Sequence, residues 1–243
     1  MEYVDISLDQ IDSTNTYAKQ HGAEFDPDKV TCITAEEQTG GRGRYQRTWV
    51  SPRGVNLYVT FSFLLPRETP HLISLGQVMT CSLASLLLSA GLAPKIKWPN
   101  DVQLAGKKVS GVLCETVFGR TAVQVIVGIG INVNMGKEDL DTIDQSATSL
   151  KNETGHSWER KSLLQKLKKQ FLSDLEAFKV GGFGPFYPLF NRLLAFKGQT
   201  IRCFDGQKEW VGICHSITPE GQLNLLLPDQ TLHTLSSGDV NAL

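Results

Sequence analysis

The sequence predicts a larger domain that combines helices with strands, followed by a small β-barrel. Apolar runs of both helical and strand character occupy the first part of the chain, between residues 2 and 179. From Lys197 onward, about five short strand runs are separated by the turn signals DG, PEG, PD and SSG, which is typical of a small barrel. With 243 residues, 41% of them hydrophobic, the chain is long enough for one sizeable core and a small second unit. We place the domains at residues 1–194 and 195–243.

The individual elements follow from apolar periodicity and turn residues. Strands are expected at residues 2–9, 29–37, 54–65 and 122–135, and a hairpin is expected around the turn Ala105–Gly106. Helices are expected from Asp12 or Ser13 to about Gly22, over residues 71–90 and over residues 157–179, with a last short helix in NRLLAF. The helix over 157–179 has one apolar face, and its lysines are expected to be solvated: Lys166, Lys168 and Lys169. Pro99 predicts a bend or a sheet edge within KWPND.

Composition and charge exclude several classes of protein. The net charge of −1 gives no overall field that would recruit nucleic acid or a membrane. The five cysteines are widely spaced and lack a CxxC pair, which favours reduced thiols in a cytoplasmic protein over disulfides or zinc. No signal peptide opens the chain, and apolar runs such as VQVIVGIGINV are too short to span a bilayer. We therefore expect a cytoplasmic protein that does not bind membranes.

The stretch QTGGRGRYQRTW, residues 38–49, is the strongest candidate for binding a ligand. Its glycines allow backbone N–H groups to approach a ligand closely, and its arginines match phosphate or carboxylate oxygens. Because it lies between two strand-like runs, it is expected to be a loop, and it favours an anionic ligand over the alternative of a flexible, solvated basic segment. It is not a Walker A loop, and GIGIN at 128–132 is not a dinucleotide fingerprint because Val133 replaces the last glycine.

Several other polar residues are candidates with two interpretations each. Ser13, Thr14 and Asn15 are favoured by their spacing as a helix cap, although their hydroxyl and amide groups also suit a polar, uncharged ligand group. In KWPND and the following GKK, lysines stand beside an aspartate, which suits nucleotide chemistry because lysine neutralises phosphate and aspartate can hold Mg²⁺ or a ribose hydroxyl. The alternative, surface charges around a hairpin, fits Lys107 well and Trp98 poorly. Trp49 is either a core anchor or a stacking wall for a flat ligand.

Five motifs in a fixed order carry a resemblance to a known family. The chain contains DSTN, then QTGGRGR with a later Arg and Trp, KWPND with GKKVSG, VGIGIN and ATSL, followed by the predicted barrel. Together these motifs resemble the biotin protein ligases, also called biotin–[acetyl-CoA-carboxylase] ligases. The resemblance implies an α+β fold: a mixed sheet with helices on one face, like that of class II aminoacyl-tRNA synthetases, and a C-terminal SH3-like barrel. Because little sequence precedes DSTN, we expect the monofunctional type, without an N-terminal DNA-binding domain and without direct DNA binding.

The resemblance also implies a reaction with two steps. The biotin carboxylate attacks the α-phosphate of MgATP, which gives biotinyl-5′-AMP and pyrophosphate. A lysine of the biotin carboxyl carrier protein of acetyl-CoA carboxylase then takes the biotin and releases AMP. Mg²⁺ is the implied cofactor. Family members occur as monomers and as homodimers, and the sequence does not decide between these states.

Matching the motifs assigns roles residue by residue. The implied biotin contacts are Ser13, Thr14, Asn15, Gln38, Gly41, Arg42, Gly43, Arg44, Lys108 and Gly111. The implied ATP contacts are Arg44, Arg47, Trp49, Lys97 and Asn132, and the implied metal ligand is Asp101. Arg44 and Lys108 are the implied catalytic residues, since they would cancel the charge of the carboxylate and the phosphate as these meet. The sequence departs from the family where Gln46 replaces the last glycine of the common loop pattern GRGRxGR, which would stiffen the loop or leave it unchanged.

Two other functions remain open at this point. A lipoate or octanoate transferase would share a related fold, but the GRGR loop and KWPND resemble the biotin branch. A non-catalytic sensor of biotin or its adenylate would bind these molecules without turnover.

Overall fold

A seven-stranded mixed sheet and a five-stranded antiparallel sheet form the frame of the protein. The structure is a computed structural model and describes residues 2–243. The strands of the large sheet are β1 (Tyr3–Ile11), β2 (Val30–Gln38), β3 (Leu57–Pro66), β4 (Lys95–Lys97), β5 (Asp101–Leu104), β6 (Lys107–Phe118) and β7 (Ala122–Ile131). They lie in the order β1-β2-β3-β7-β6-β5-β4; β1 and β2 are parallel and all other neighbours are antiparallel. The predicted mixed sheet is confirmed.

Helices cover both faces of this sheet, which explains the unbroken apolar run of β7. Val125 and Val127 belong to the main core on one face, under α2 (Leu75–Ser89) and α5 (Arg160–Gly181). Ile126 points the other way and packs with Ala18 of α1 (Thr14–His21). Because side chains alternate across a strand, a strand that is buried on both faces loses its polar positions. The expectation that the helices lie on one face is therefore wrong for α1.

The buried face of α5 is the predicted one, with one exception. Leu163, Leu167, Phe171, Leu175 and Phe178 are buried as expected. Lys168, expected in solvent, is only 6% exposed. Its ammonium lies 2.6 Å from the Asp5 carboxylate and 4.8 Å from the centre of the Tyr3 ring, so β1 supplies the partners that a buried charge requires.

KWPND is the tight connection between two short strands. Lys97, the last residue of β4, pairs with Asp101, the first residue of β5, and the peptide between Trp98 and Pro99 is cis. The predicted bend is confirmed. The following hairpin turn is also confirmed, with Ala105 and Gly106 at φ values of 48° and 76°. The second strand of that hairpin, β6, is longer than expected because it continues beside β7.

Three further helices connect the two sheets. They are α3 (Lys137–Leu140), α4 (Leu150–Thr154) and α6 (Tyr187–Leu193). The second expected helix begins at Leu75 and is preceded by a short turn over Leu72–Ser74. The combined segment Leu72–Ser89 is apolar and long enough to cross a membrane by length and composition, but 72% of it is buried within the chain. It is the buried core helix that the sequence predicts.

The C-terminal sheet consists of the five expected short strands. These are β8 (Thr200–Phe204), β9 (Glu209–Ile217), β10 (Leu223–Leu226), β11 (Leu232–Leu235) and β12 (Asp239–Ala242), in the order β11-β10-β9-β8-β12. All neighbours are antiparallel. In residues 2–243 the two outer strands, β11 and β12, do not pair, so hydrogen bonds do not close this SH3-like sheet into a barrel. The inner side chains of both sheets belong to one core cluster, and the boundary at residues 194 and 195 stays a prediction.

Candidate functional site

A cavity between the large sheet, the loop 38–49 and the C-terminal sheet brings most of the candidate residues together. The candidates that line it are Ser13, Thr14, Asn15, Gln38, Arg42, Gly43, Arg44, Arg47, Trp49, Lys97, Asp101, Lys108 and Gly111. Gly41 and Asn132 are not among its lining residues. The cavity lies on the α1 face of the sheet, where the glycines of β6 and β7 leave room above the strands.

The floor of the cavity is an uncharged hydrogen-bond network. The backbone N–H and the hydroxyl of Thr14 both donate to Gln38 Oε1, at 3.0 and 3.1 Å. Gln38 Nε2 donates to Ser51 Oγ at 3.1 Å. Thr60 Oγ lies 2.7 Å from both Thr14 Oγ and Asn15 Oδ1. Since each amide atom has a defined partner, the Gln38 side chain is fixed in one orientation.

Asn15 occupies the space that Gly128 leaves open. Its Nδ2 donates to Glu115 Oε2 at 2.9 Å, and Lys19 Nζ lies 2.6 Å from the other oxygen of that carboxylate. A Cβ built on Gly128 would lie 2.2 Å from Asn15 Oδ1. The room that Gly128 leaves in the strand is therefore filled by a side chain of the site itself.

Ser13 stands at the N-cap of α1 but does not cap it with its hydroxyl. Its backbone is extended, with φ of −158°, as expected for an N-cap residue, yet the side chain makes no capping hydrogen bond. The interpretation of Ser13 as a side-chain cap is therefore wrong. Gly22 ends the helix with φ of −57°, and a Cβ there would lie 2.3 Å from Gln124 Nε2, so this glycine serves close packing and not a left-handed turn.

Backbone hydrogen bonds join the two arms of the loop 38–49. Gly41 O accepts a hydrogen bond from Trp49 N at 2.9 Å, and Gly43 N donates to Arg47 O at 2.7 Å. A Cβ on Gly41 would lie 2.6 Å from Trp49 O, so glycine is needed at this crossing. At the tip, Gln46 has φ of 60°. In this left-handed region a non-glycine residue costs about 1–2 kcal/mol, which gives a physical reason for the glycine that is common at the position of Gln46.

The cations of the site each have a defined partner. Arg42 Nη2 donates to Thr16 Oγ at 2.5 Å, and Arg44 Nη1 donates to Gly238 O at 2.8 Å. Arg47 forms an ion pair with Asp239. Lys108 Nζ lies 3.0 Å from Asp101 Oδ2. These partners are neutral oxygens or single carboxylates, so each cation has further N–H donors for phosphate or carboxylate oxygens of a ligand.

Two cations that line the cavity, Arg47 and Lys97, have perturbed pKa values. The hydrogen bond to Asp239 raises the pKa of Arg47. Burial lowers the pKa of Lys97, while Asp101 and Asp239 act in the opposite direction and raise it. The Lys97 ammonium lies 3.9 Å from Asp239 Oδ1 and donates to Asn241 Oδ1 at 3.3 Å.

Trp49 forms one wall of the cavity. Its ring lies against Gly111 and Gly130, which are directly opposite each other on β6 and β7. A Cβ on Gly130 would lie 2.3 Å from Trp49 Cε2. Lys108 Nζ stands 5.4 Å from the ring centre. The indole Nε1 is the one buried side-chain polar atom within residues 2–243 that has no hydrogen-bond partner. Trp49 is thus anchored on the sheet and also exposes a flat surface to the site.

Asn132 lies outside the main cavity, in a smaller adjoining one that Trp49 and Lys108 share. It is 2% exposed, and its Nδ2 donates to Thr148 O at 3.1 Å. Thr148 N in turn donates to the backbone oxygen of Lys108 at 2.9 Å. The ATSL motif therefore holds the backbone of Lys108 in place, and Asn132 supports that motif. Its assignment to the nucleotide stays a prediction.

A divalent cation would find two protein carboxylates on the lining of this cavity, Asp101 and Asp239, and Asp239 is already paired with Arg47. Asp101 is 13% exposed in its side chain and lines the cavity. Within residues 2–243, no group of three or more His, Cys, Asp or Glu side chains could hold a metal. This supply of carboxylates fits Mg²⁺, which is usually bound through one or two carboxylates together with substrate phosphates.

The thiols are not suited to act as nucleophiles. All five cysteines are free, and none lines the cavity. Burial raises the pKa of Cys203 and of Cys214 to about 11. Both thiols therefore remain protonated at neutral pH.

Some lining residues carry no signal in the sequence. Gln145 and Asp239 line the cavity but stand in no motif, and Asn100, although it lies in KWPND, belongs to none of the assigned roles. Asp239 comes from β12, the outer strand of the C-terminal sheet. Only the folded arrangement brings it to the loop, and no local pattern could have identified it.

Comparisons with known proteins agree on one family. A model described as the biotin/lipoate A/B protein ligase family matches residues 7–132. The bifunctional ligase/repressor BirA of Salmonella typhimurium is 33% identical over 237 residues, which cover 96% of this chain and 72% of that protein. The biotin–[acetyl-CoA-carboxylase] ligase of Paracoccus denitrificans is 34% identical over 206 residues, covering 81% and 84%. The biotin protein ligase of Aquifex aeolicus, solved with biotin and ATP, superimposes with a TM-score of 0.80 at 30% identity and covers 98% of this chain and 99% of that one.

Proposed function

This chain belongs to the biotin/lipoate A/B protein ligase family and is a ligase, and we propose that it is an ATP-dependent biotin protein ligase. It forms biotinyl-5′-AMP from biotin and MgATP and then transfers biotin to a lysine of a biotin carboxyl carrier protein. One observation carries the proposal. A single cavity combines an uncharged polar floor with five cationic side chains: Arg42, Arg44, Arg47, Lys97 and Lys108. Such a site fits a molecule with a neutral hydrogen-bonding head and an anionic end that meets a nucleotide.

The neutral end of the cavity is suited to the biotin head. A ureido group carries one acceptor and two donors, and the floor offers the hydroxyls of Ser13 and Thr14 with the amides of Asn15 and Gln38. Ser13, Thr14 and Asn15 are buried and Gln38 is partly buried, so an uncharged ligand that satisfies these groups binds without the cost of burying a charge. Gly111 leaves the space beside Lys108 and Trp49 in which the biotin chain would lie.

The cationic end is suited to bringing two anions together. A biotin carboxylate oxygen forms a bond to the α-phosphorus of ATP while the bond from that phosphorus to pyrophosphate breaks. Arg44 and Lys108 reduce the repulsion between carboxylate and phosphate as charge builds at phosphorus. Lys108 would exchange its contact with Asp101 for ligand oxygens. Mg²⁺, held by Asp101 and the phosphates, would supply charge neutralisation for the departing pyrophosphate.

The loop 38–49 is suited to protecting the adenylate. Biotinyl-AMP is a mixed anhydride that water hydrolyses, so covering it raises the yield of the second step. In that step the carrier lysine amine attacks the biotinyl carbonyl carbon, and the bond from that carbon to the AMP oxygen breaks. Gly41, Arg42 and Gly43 belong to the loop that would cover it, and Arg47, Trp49 and Lys97 line the same cavity and would contact the nucleotide.

A lipoate ligase or transferase is the second candidate function, since the matching family model covers biotin and lipoate proteins alike. The named relatives and the Aquifex aeolicus structure favour biotin. A sensor that binds biotinyl-AMP without transferring biotin is the third.

One titration separates the three functions. Biotin is titrated into the protein by calorimetry with and without MgATP, and the mixture is then examined by mass spectrometry. We expect biotin binding and a biotinyl-AMP peak, followed by a mass increase on a carrier fragment but not on the same fragment with its target lysine replaced by arginine. If the protein binds lipoate in a parallel titration and does not bind biotin, the second function is favoured. Adenylate without transfer to any carrier would favour the third.

A further inference from the structure

The C-terminal sheet reaches the cavity at one corner, formed by Gly238 and Asp239. Asp239 is the first residue of β12 and lines the cavity. The next residue, Val240, is 2% exposed and pairs with Cys203 of β8. The backbone at this corner is therefore fixed by packing and by the strand ladder, so it offers a rigid contact point.

Trp98 packs against the C-terminal sheet and holds the Gly238–Asp239 corner beside the cavity. The KWPND tryptophan is 2% exposed, and its Nε1 donates to Gly221 O at 2.9 Å. Gln77 Nε2 donates to the same oxygen at 2.7 Å. A Cβ on Gly238 would lie 2.6 Å from Cys203 Sγ and 3.3 Å from Trp98 Cζ3. Trp98 is thus used to dock the C-terminal sheet next to Lys97.

Both ends of the loop tip are held at this corner. Gly238 O accepts from Arg44 Nη1 at 2.8 Å, and the Asp239 carboxylate forms an ion pair with Arg47. The same carboxylate lies 3.9 Å from Lys97 Nζ. Asp239 is 21% exposed, so its charge is partly shielded from water, and charge-assisted contacts there are stronger than in solvent.

We propose that the Gly238–Asp239 corner is a latch that holds the loop 38–49 over the cavity, and that Asp239 is a positioning residue for the reaction. The free volume of the cavity is about 80 Å³, whereas pockets for ligands of this size span roughly 300–1,000 Å³. Because Arg42, Gly43, Arg44 and Arg47 of the loop line the cavity, the position of the loop determines how much room substrates find there. The ion pair with Asp239 fixes the position of the Arg47 side chain when the loop lies over the cavity. Because a guanidinium has five N–H donors, Arg47 can keep this contact while it also binds phosphate oxygens.

The latch can be tested without any substrate, because trypsin cleaves after the arginines of the loop. Limited digestion is followed by mass spectrometry of the fragments that end at Arg44 or Arg47. We expect Asp239→Asn to speed this cleavage about fivefold, the upper size expected for an ion pair whose arginine is largely exposed, and Asp239→Glu to restore the slow rate. The matched control is Glu209→Gln, which removes a carboxylate of the same sheet that contacts Arg202 and not the loop. Equal cleavage rates in wild type, Asp239→Asn and Glu209→Gln would overturn the proposal.

The positioning role rests on the proposed function and has its own measurement. In an assay of biotin-dependent pyrophosphate exchange, Asp239→Asn is expected to raise KM for ATP about fivefold, with biotin affinity and Tm unchanged. A parallel loss of Tm, biotin affinity and ATP affinity would mean that Asp239 is merely structural. A wild-type chain that forms no biotinyl-AMP would defeat the proposed function, while the cleavage rates would still decide on the latch.

Discussion

Lys108 Nζ lies 3.0 Å from Asp101 Oδ2, across the hairpin that follows KWPND. The two side chains are only 17% and 13% exposed, and a shielded charge of this kind needs a partner. The pair directs the ammonium into the cavity, while the ATSL segment holds the Lys108 backbone from the other side. The Lys108 ammonium, which stabilises charge in the proposed mechanism, is therefore in place before any anion binds. Such preorganisation is how electrostatic catalysis avoids reorganisation during the reaction.

Replacing Lys108 should impair the first step most. We expect Lys108→Ala to raise the barrier to adenylate formation by about 2–4 kcal/mol, as other losses of a transition-state charge stabiliser do. The neighbouring Lys107 is exposed and does not line the candidate cavity, so Lys107→Ala is the matched control and should keep the wild-type rate. Single-turnover formation of biotinyl-AMP is the measurement. Adenylation at the wild-type rate in Lys108→Ala would remove this residue from the mechanism.

Replacing Arg44 should release the adenylate without unfolding the protein. The Arg44 guanidinium contacts Gly238 O and Tyr45 and belongs to no core cluster, so we expect Arg44→Ala to leave Tm within a few degrees. Dissociation of preformed biotinyl-AMP should become about tenfold faster, because one charge-assisted contact that closes the loop is lost. Arg53→Ala is the control, since Arg53 is an exposed arginine just beyond the loop that pairs with Asp9. Unchanged adenylate dissociation in Arg44→Ala would contradict this role.

Adding one methyl group at Gly128 should damage biotin binding. The new Cβ would lie 2.2 Å from Asn15 Oδ1, so Asn15 must leave its hydrogen bonds to Thr60 and Glu115. We expect Gly128→Ala to weaken biotin binding by about 1–3 kcal/mol, the cost of leaving buried polar groups unpaired. Gly136→Ala is the matched control, because a Cβ there meets nothing within 4 Å. Calorimetry with biotin decides, and equal affinities in the two variants would show that Asn15 is not needed at the floor.

The sequence predicted those parts of the site that lie in short, local motifs. DSTN, the glycine–arginine loop and KWPND each supply several lining residues from a few consecutive positions, at the start of α1, on the loop 38–49 and at the bend between β4 and β5. The bend at KWPND followed from Pro99 alone, because proline cannot occupy the interior of a paired strand. Local chemistry of this kind is visible before folding.

Contacts between distant segments could not be predicted in this way. Arg44 meets Gly238 across 194 positions, and Asn15 meets Glu115 across 100. Lys168 seemed solvated because its helix face gave no sign of Asp5, which arrives from a strand 163 positions earlier. Similarly, the placement of α1 on the second face of the sheet depends on which apolar residues of β7 are already covered by α2. In each case the missing information is the partner, which only the fold selects.

The affinity for ATP should depend on pH through the protonation of Lys97. Burial lowers the pKa of Lys97, with Lys108 and Arg47 acting in the same direction and Asp101 and Asp239 opposing them. Phosphate binds the protonated ammonium, so ATP affinity is complete below this lowered pKa and falls as the pH rises through it, earlier than for an ordinary lysine at about 10.4. Asp239→Asn removes one group that raises the pKa, so the fall should begin at still lower pH, whereas Lys97→Arg stays charged and should abolish the fall. The measurement is KM for ATP in the wild type and both variants between about pH 7 and about pH 10, with thermal unfolding at each pH as the control for stability. An alkaline limb at the same pH in wild type and Asp239→Asn would show that the carboxylate of the C-terminal sheet does not act on Lys97.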